Sequence, residues 1–147
     1  MHLDRATVDL VQASWSEIGP RAAHLGAAFY DALFAADPSL VALFTANDRG
    51  AMLEQGGKLM QTLGAAVSAL GDPAVEGTLR ALGRRHAAYG VAEAHYETVG
   101  DALLATLARG LGRRFTPDLE AAWTALYHAV ADAMIAGARA GGSAPAP

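Results

Sequence analysis

The chain has 147 residues, enough for one domain with a substantial core. It contains no cysteine, which excludes disulfides, zinc–thiolate sites and thiol catalysis; its net charge of −4, with both signs interspersed, argues against a nucleic-acid-binding surface. The first residues lack the basic start and long apolar run of a signal peptide, and no apolar run reaches the ~20 residues that span a bilayer, so a cytoplasmic protein without a membrane span is expected.

Apolar residues follow a helical period almost throughout, and no segment shows strand alternation. A first helix is predicted over Arg5–Ile18, with Asp4 as N-cap, Leu3 and Val8 at the staple positions, and Val8, Val11, Trp15 and Ile18 as the buried stripe. Pro20 should open a second helix, whose inner face holds Leu25, Gly26, Phe29, Tyr30 and Leu33. Asp37-Pro38 starts a short helix ending near Phe44. The polar turn from Thr45 to Gly50 leads into a long helix to about Leu70, with Met52, Gln55, Gly56, Leu59, Leu63 and Ala66 on one side. Gly71-Asp72-Pro73 breaks the chain before a helix over Ala74–Ala88. A further helix is expected from Ala94 to Leu111, and a last one after Thr116-Pro117 with Trp123, Leu126, Tyr127, Val130 and Met134 on its apolar face. Residues 1–140 read as one domain and 141–147, GGSAPAP, as a disordered tail. About seven helices of uneven length fit crossed packing better than an up-and-down bundle.

Few residues could carry chemistry. His86 shares an apolar stripe with Leu79 and Leu82, so it is either a ligand or a core histidine bonded to a backbone carbonyl. No second histidine or carboxylate follows at four residues, which disfavours zinc. A haem iron needs only one protein ligand, because the porphyrin fills four positions. Tyr30 and Gln55 are polar groups on apolar faces, and together they would place an O–H and an N–H donor in one pocket, unless backbone or water satisfies each separately. Gly26 and Gly56 suggest a close crossing of their two helices that would bring Tyr30 and Gln55 together. Gly57, Gly64 and Gly83 read as incidental. Arg84-Arg85 and Arg113-Arg114 read as solvated helix ends, and His2, His24 and His128 as surface or incidental residues.

The segments FYDALF, DPSLVALF, KLMQTLG, GRRHAAYGVAEAHYETVGDALL and AAWTALYHAVADAM, in this order, resemble a globin over about residues 7–138. The likeness is closest to single-domain bacterial globins related to the haem domain of flavohaemoglobins. It implies an all-α globin fold in 3-on-3 packing around haem b (iron protoporphyrin IX). His86 matches the proximal ligand, Phe44 the phenylalanine against the porphyrin, Tyr30 and Gln55 the distal donors, and Leu59 the apolar residue over the iron. Leu82 and Val91 match porphyrin contacts, Tyr96 and Val99 belong to the same lining, and Lys58 is a candidate propionate partner. His95 reads as a helix-start residue near a propionate. Tyr96 matches a tyrosine that, in the enzymatic members, acts with a glutamate on the proximal histidine; Ala138 stands where that glutamate would be. The chain stops at Pro147, so no built-in reductase is expected. No distal histidine is present, so an open sixth site is expected.

The resemblance implies reversible O2 binding for storage, delivery or sensing. NO dioxygenation with an external reductase is the enzymatic alternative, and a haem-free helical module the non-haem one. NO, CO and sulfide are further candidate ligands, and a monomer or homodimer is expected.

Overall fold

The computed structural model describes residues 3–43 and 49–142; within these, the side chains of 22, 23, 42, 43, 49–58, 141 and 142 lie outside the described set. Six α-helices occur among the described residues, with no strand: α1 (Arg5–Ile18), α2 (Ala22–Ala36), α3 (Arg49–Ser68), α4 (Ala74–Ala88), α5 (Glu93–Leu111) and α6 (Pro117–Gly142). The short third helix expected from Pro38 to near Phe44 is a 3-10 helix over Pro38–Leu43, and Phe44 lies outside the described residues. The N-cap of α1 is Asp4, whose carboxylate accepts the Thr7 amide at 2.8 Å.

Pro20 does not open α2. It sits in a 3-10 turn, Gly19–Arg21, between α1 and α2. Proline has no N–H to donate to the carbonyl four residues back, so the α-helical ladder stops there and resumes after Arg21. The Arg21 guanidinium donates to the Gly110 carbonyl at 2.7 Å, tying this corner to the end of α5. The last helix extends to Gly142 and so takes in the first two residues of the expected tail; residues 143–147 lie outside the described residues.

The main core joins α1, α2, α3, α5 and α6 around Trp123, with Val11, Ile18, Leu33, Met60 and Leu107. Trp123 donates its indole N–H to the Ser14 hydroxyl at 2.9 Å, so this buried polar group is satisfied. The helix α4 stands outside that core. It closes on α6 and α5 through a smaller cluster, Leu79, Ala133 and Met134, flanked by Val75, Leu82, Tyr96 and Val130. Among the described residues the most extensive helix contacts are α4 on α6 and α2 on α3. The two helices that carry Gln55 and His86 therefore lean on different neighbours.

Candidate functional site

His86 lies in the last turn of α4 and is half-buried. Its Nδ1 is 2.9 Å from the Leu82 carbonyl oxygen. A carbonyl only accepts, so Nδ1 carries the proton and Nε2 keeps its lone pair. Burial pushes the ring below the ordinary histidine range; the Leu82 bond raises it and the Arg85 charge lowers it again. A neutral ring with Nδ1–H on a backbone carbonyl and Nε2 unprotonated is the state in which histidine ligates a metal. Among the described residues no group of three or more His, Asp or Glu could hold a metal ion by itself. This donor set fits haem, which asks for one imidazole and supplies four nitrogens of its own.

The chain turns sharply after His86. Val91 N–H donates to the His86 carbonyl at 3.0 Å and Gly90 N–H to the Ala87 carbonyl at 3.0 Å. This is a Schellman closure, with Gly90 at φ +99° as the left-handed residue. It brings Val91, half-buried, back beside His86. The start of α5 is fixed by His95, whose Nδ1 accepts the Ala92 amide at 2.9 Å, in agreement with its reading as a helix-start residue. The Glu93 carboxylate takes a 2.7 Å bond from Arg139 Nε on α6.

Tyr96 is half-buried in the small cluster with Leu82 and Met134. Burial pushes its phenol up. Its backbone carbonyl accepts the Tyr127 hydroxyl. The Tyr127 ring lies against Gly100, where a Cβ would come within 2.6 Å of it, so this glycine lets α6 approach α5. Sequence spacing missed this bond, because Tyr127 falls on an apolar helix face and its partner is 31 residues away. Ala138 is half-buried on α6 and brings no carboxylate there.

Tyr30 forms a second group on α2. It is 5 % exposed, stacked on Phe34 at 5.7 Å and edge-on to Phe29 at 5.4 Å. Burial pushes its phenol up to about 12, so the hydroxyl keeps its proton at neutral pH. Leu59 and Val99 are partly buried against the core cluster that contains Tyr30. Gly26 is buried one turn before Tyr30, on the helix that packs extensively on α3. Gln55, Gly56 and Lys58 lie on α3 with side chains outside the described residues, and Phe44 lies outside them altogether. His86, Leu82, Val91 and Tyr96 thus form one group at α4 and the start of α5, while Tyr30, Leu59 and Val99 belong to the main core.

Two glycines taken as incidental are close-packing positions. A Cβ on Gly64 would lie 2.8 Å from Trp15 Nε1, and one on Gly83 would lie 1.9 Å from the Met134 carbonyl oxygen. Gly57 lies in the part of α3 whose side chains are not described.

The globin family model matches residues 27–134. The neuroglobins of Chaenocephalus aceratus and Dissostichus mawsoni are each 36% identical to this chain over 140 residues, covering 88% of it and 88% of the relative. The neuroglobin of Danio rerio is 34% identical over 139 residues, covering 87% of each. No helix among the described residues is long and apolar enough to cross a membrane. The chain therefore belongs to the globin family and has the all-α globin fold, and haem-based O2 binding is the activity that family membership supports.

Proposed function

We propose that this chain holds haem b through His86 and binds O2 reversibly, for storage, delivery or sensing, as a single-domain globin of the type that resembles flavohaemoglobin haem domains. The observation that carries this reading is the 2.9 Å contact between His86 Nδ1 and the Leu82 carbonyl, which leaves Nε2 as the ligating atom. Haem, when bound, would supply the iron and its reversible affinity for diatomic gases. Leu82, Val91 and Tyr96 would line the haem beside His86, and Val99 would line it from the main core. Tyr30 would act from the distal side, its neutral hydroxyl able to donate to a bound gas, with Gln55 as the second donor that the resemblance implies. Phe44 and Leu59 would pack on the porphyrin, and Lys58 would pair with a propionate, as the globin resemblance implies.

The alternative is NO dioxygenation with an external reductase, and NO, CO and sulfide are candidate ligands beside O2. One feature favours reversible binding. Position 138 is alanine, and the nearby Glu93 carboxylate is taken by Arg139. A carboxylate on the proximal imidazole would raise its electron donation and favour O–O cleavage.

The test is the absorption spectrum of the purified protein, reduced with dithionite and exposed to CO. A sharp CO-shifted Soret band that weakens in His86→Ala supports the reading. A featureless spectrum after adding hemin would sink it. Sustained NO consumption with a cellular reductase would favour the enzymatic alternative.

A further inference from the structure

We propose that Gly83 and Gly137 form a reciprocal backbone lock between α4 and α6 that positions His86. The proposal rests on His86 being the haem ligand. An ideal Cβ on Gly83 would lie 1.9 Å from the Met134 carbonyl oxygen and 2.5 Å from its Cα. An ideal Cβ on Gly137 would lie 1.9 Å from the Arg80 carbonyl oxygen and 2.6 Å from its Cα. The two contacts are related by a local two-fold: residues 80 and 83 on α4 meet 137 and 134 on α6, so the helices run antiparallel through the crossing. At each point a glycine Hα faces a carbonyl oxygen, in place for a Cα–H···O contact. Backbone meets backbone, with no side chain between to adapt. Both glycines are buried.

The placement matters because α6 is the main neighbour on which α4 packs. Helix α4 lies outside the main core, and among the described residues the buried members of its own cluster are Leu79, Ala133 and Met134. His86 follows Gly83 by three residues, about 4.5 Å along the helix axis. The Leu82 carbonyl that orients the ring belongs to the residue next to Gly83. Whatever sets the distance of α4 from α6 at Gly83 therefore sets the height and tilt of the imidazole. Gly83 and Gly137 act as positioning residues; they touch neither haem nor gas.

The readout is the iron–histidine stretching band of the reduced, haem-loaded protein in resonance Raman spectra, read with the CO association rate. Either Gly83→Ala or Gly137→Ala forces α4 away from α6. Each should shift the band and change the rate by up to about a hundredfold, the scale expected of an ångström-sized misplacement. Ser14→Ala, which weakens the core at the α1–α6 contact, should leave the band in place. In His86→Gly supplied with free imidazole, the ligand is no longer tethered to α4, and adding Gly83→Ala should no longer move the iron–imidazole band. An unmoved band in folded Gly83→Ala overturns the proposal, as does a shift that persists with free imidazole. If His86→Gly alone leaves the band unchanged, the ligand assignment itself falls and takes the proposal with it. Should neither glycine variant fold, hydrogen exchange on the unaltered haem-loaded protein decides. The lock requires the amides of residues 80–85 to exchange as slowly as those of α6 around residues 134–138, and markedly faster exchange in α4 overturns it.

Discussion

The Val91 amide donates to the His86 carbonyl at 3.0 Å, so the backbone of the proposed ligand is held by the residue that follows the turn. The closure depends on Gly90, whose φ of +99° an L side chain rarely adopts. Gly90→Ala should cost about 1–2 kcal/mol of unfolding free energy. It should also release Val91 from His86, and the CO association rate should change with it. Urea unfolding and CO flash photolysis check both. Unchanged stability would mean that the turn adopts another closure without loss.

Where the sequence carried its own local reason, the fold was legible. Asp4 with an apolar stripe behind it specifies α1, and the break at Gly71-Asp72-Pro73 specifies the start of α4. His86 stood out because a lone imidazole on an apolar stripe needs a partner. Non-local features were not legible. The Gly83–Gly137 crossing joins residues 54 positions apart through backbone atoms alone, and nothing in the spacing of either glycine marks it. The corner at Pro20 turned on a competition between two helical geometries that a proline at that position permits equally. The Tyr127 hydroxyl was hidden by its place on an apolar face.

Tyr30 offers a second prediction. A hydrogen bond to a partly charged acceptor contributes about 1.5–3 kcal/mol. Tyr30→Phe should therefore speed O2 release by roughly tenfold to a hundredfold, measured by stopped-flow displacement with CO. An unchanged off-rate would remove Tyr30 as a distal donor.

The same side chain sets an alkaline limit. Its folded-state value, about 12, lies above the ordinary 10.0, and burial is the cause. Burial raises Tyr127 in the same direction. A raised phenol stabilises the fold fully below pH 10 and loses that contribution as pH rises from there through the folded value. Unfolding midpoints measured across this range should fall for the parent chain and fall less steeply in Tyr30→Phe. Parallel profiles would show that the hydroxyl ionises without strain.

His86 sets the acid limit with the opposite sign. Its folded-state value is depressed, mainly by burial, below the ordinary 6.5. The unfolded chain therefore binds the proton first as pH falls. The stability attached to the neutral ring is intact above 6.5 and is lost as pH drops from there through the depressed value. His86→Leu should show a shallower decline in this window than the parent chain, by urea titration with and without haem. Equal slopes would mean that the ring titrates alike in both states.

The buried pair Ser14 and Trp123 gives a prediction independent of haem. Ser14 is 6% exposed and Trp123 is fully buried, and the indole N–H reaches the serine hydroxyl at 2.9 Å. The hydroxyl in turn donates to the Val11 carbonyl at 2.9 Å. Ser14→Ala leaves the indole donor buried without an acceptor, at a cost of about 1–3 kcal/mol. Trp123→Phe removes the donor as well as packing volume, so the Ser14→Ala loss should shrink in that background. A double-mutant cycle from urea unfolding isolates the pair. A coupling energy near zero would mean that water or a shifted backbone carbonyl replaces the serine, and that this link between α1 and α6 is held by packing alone.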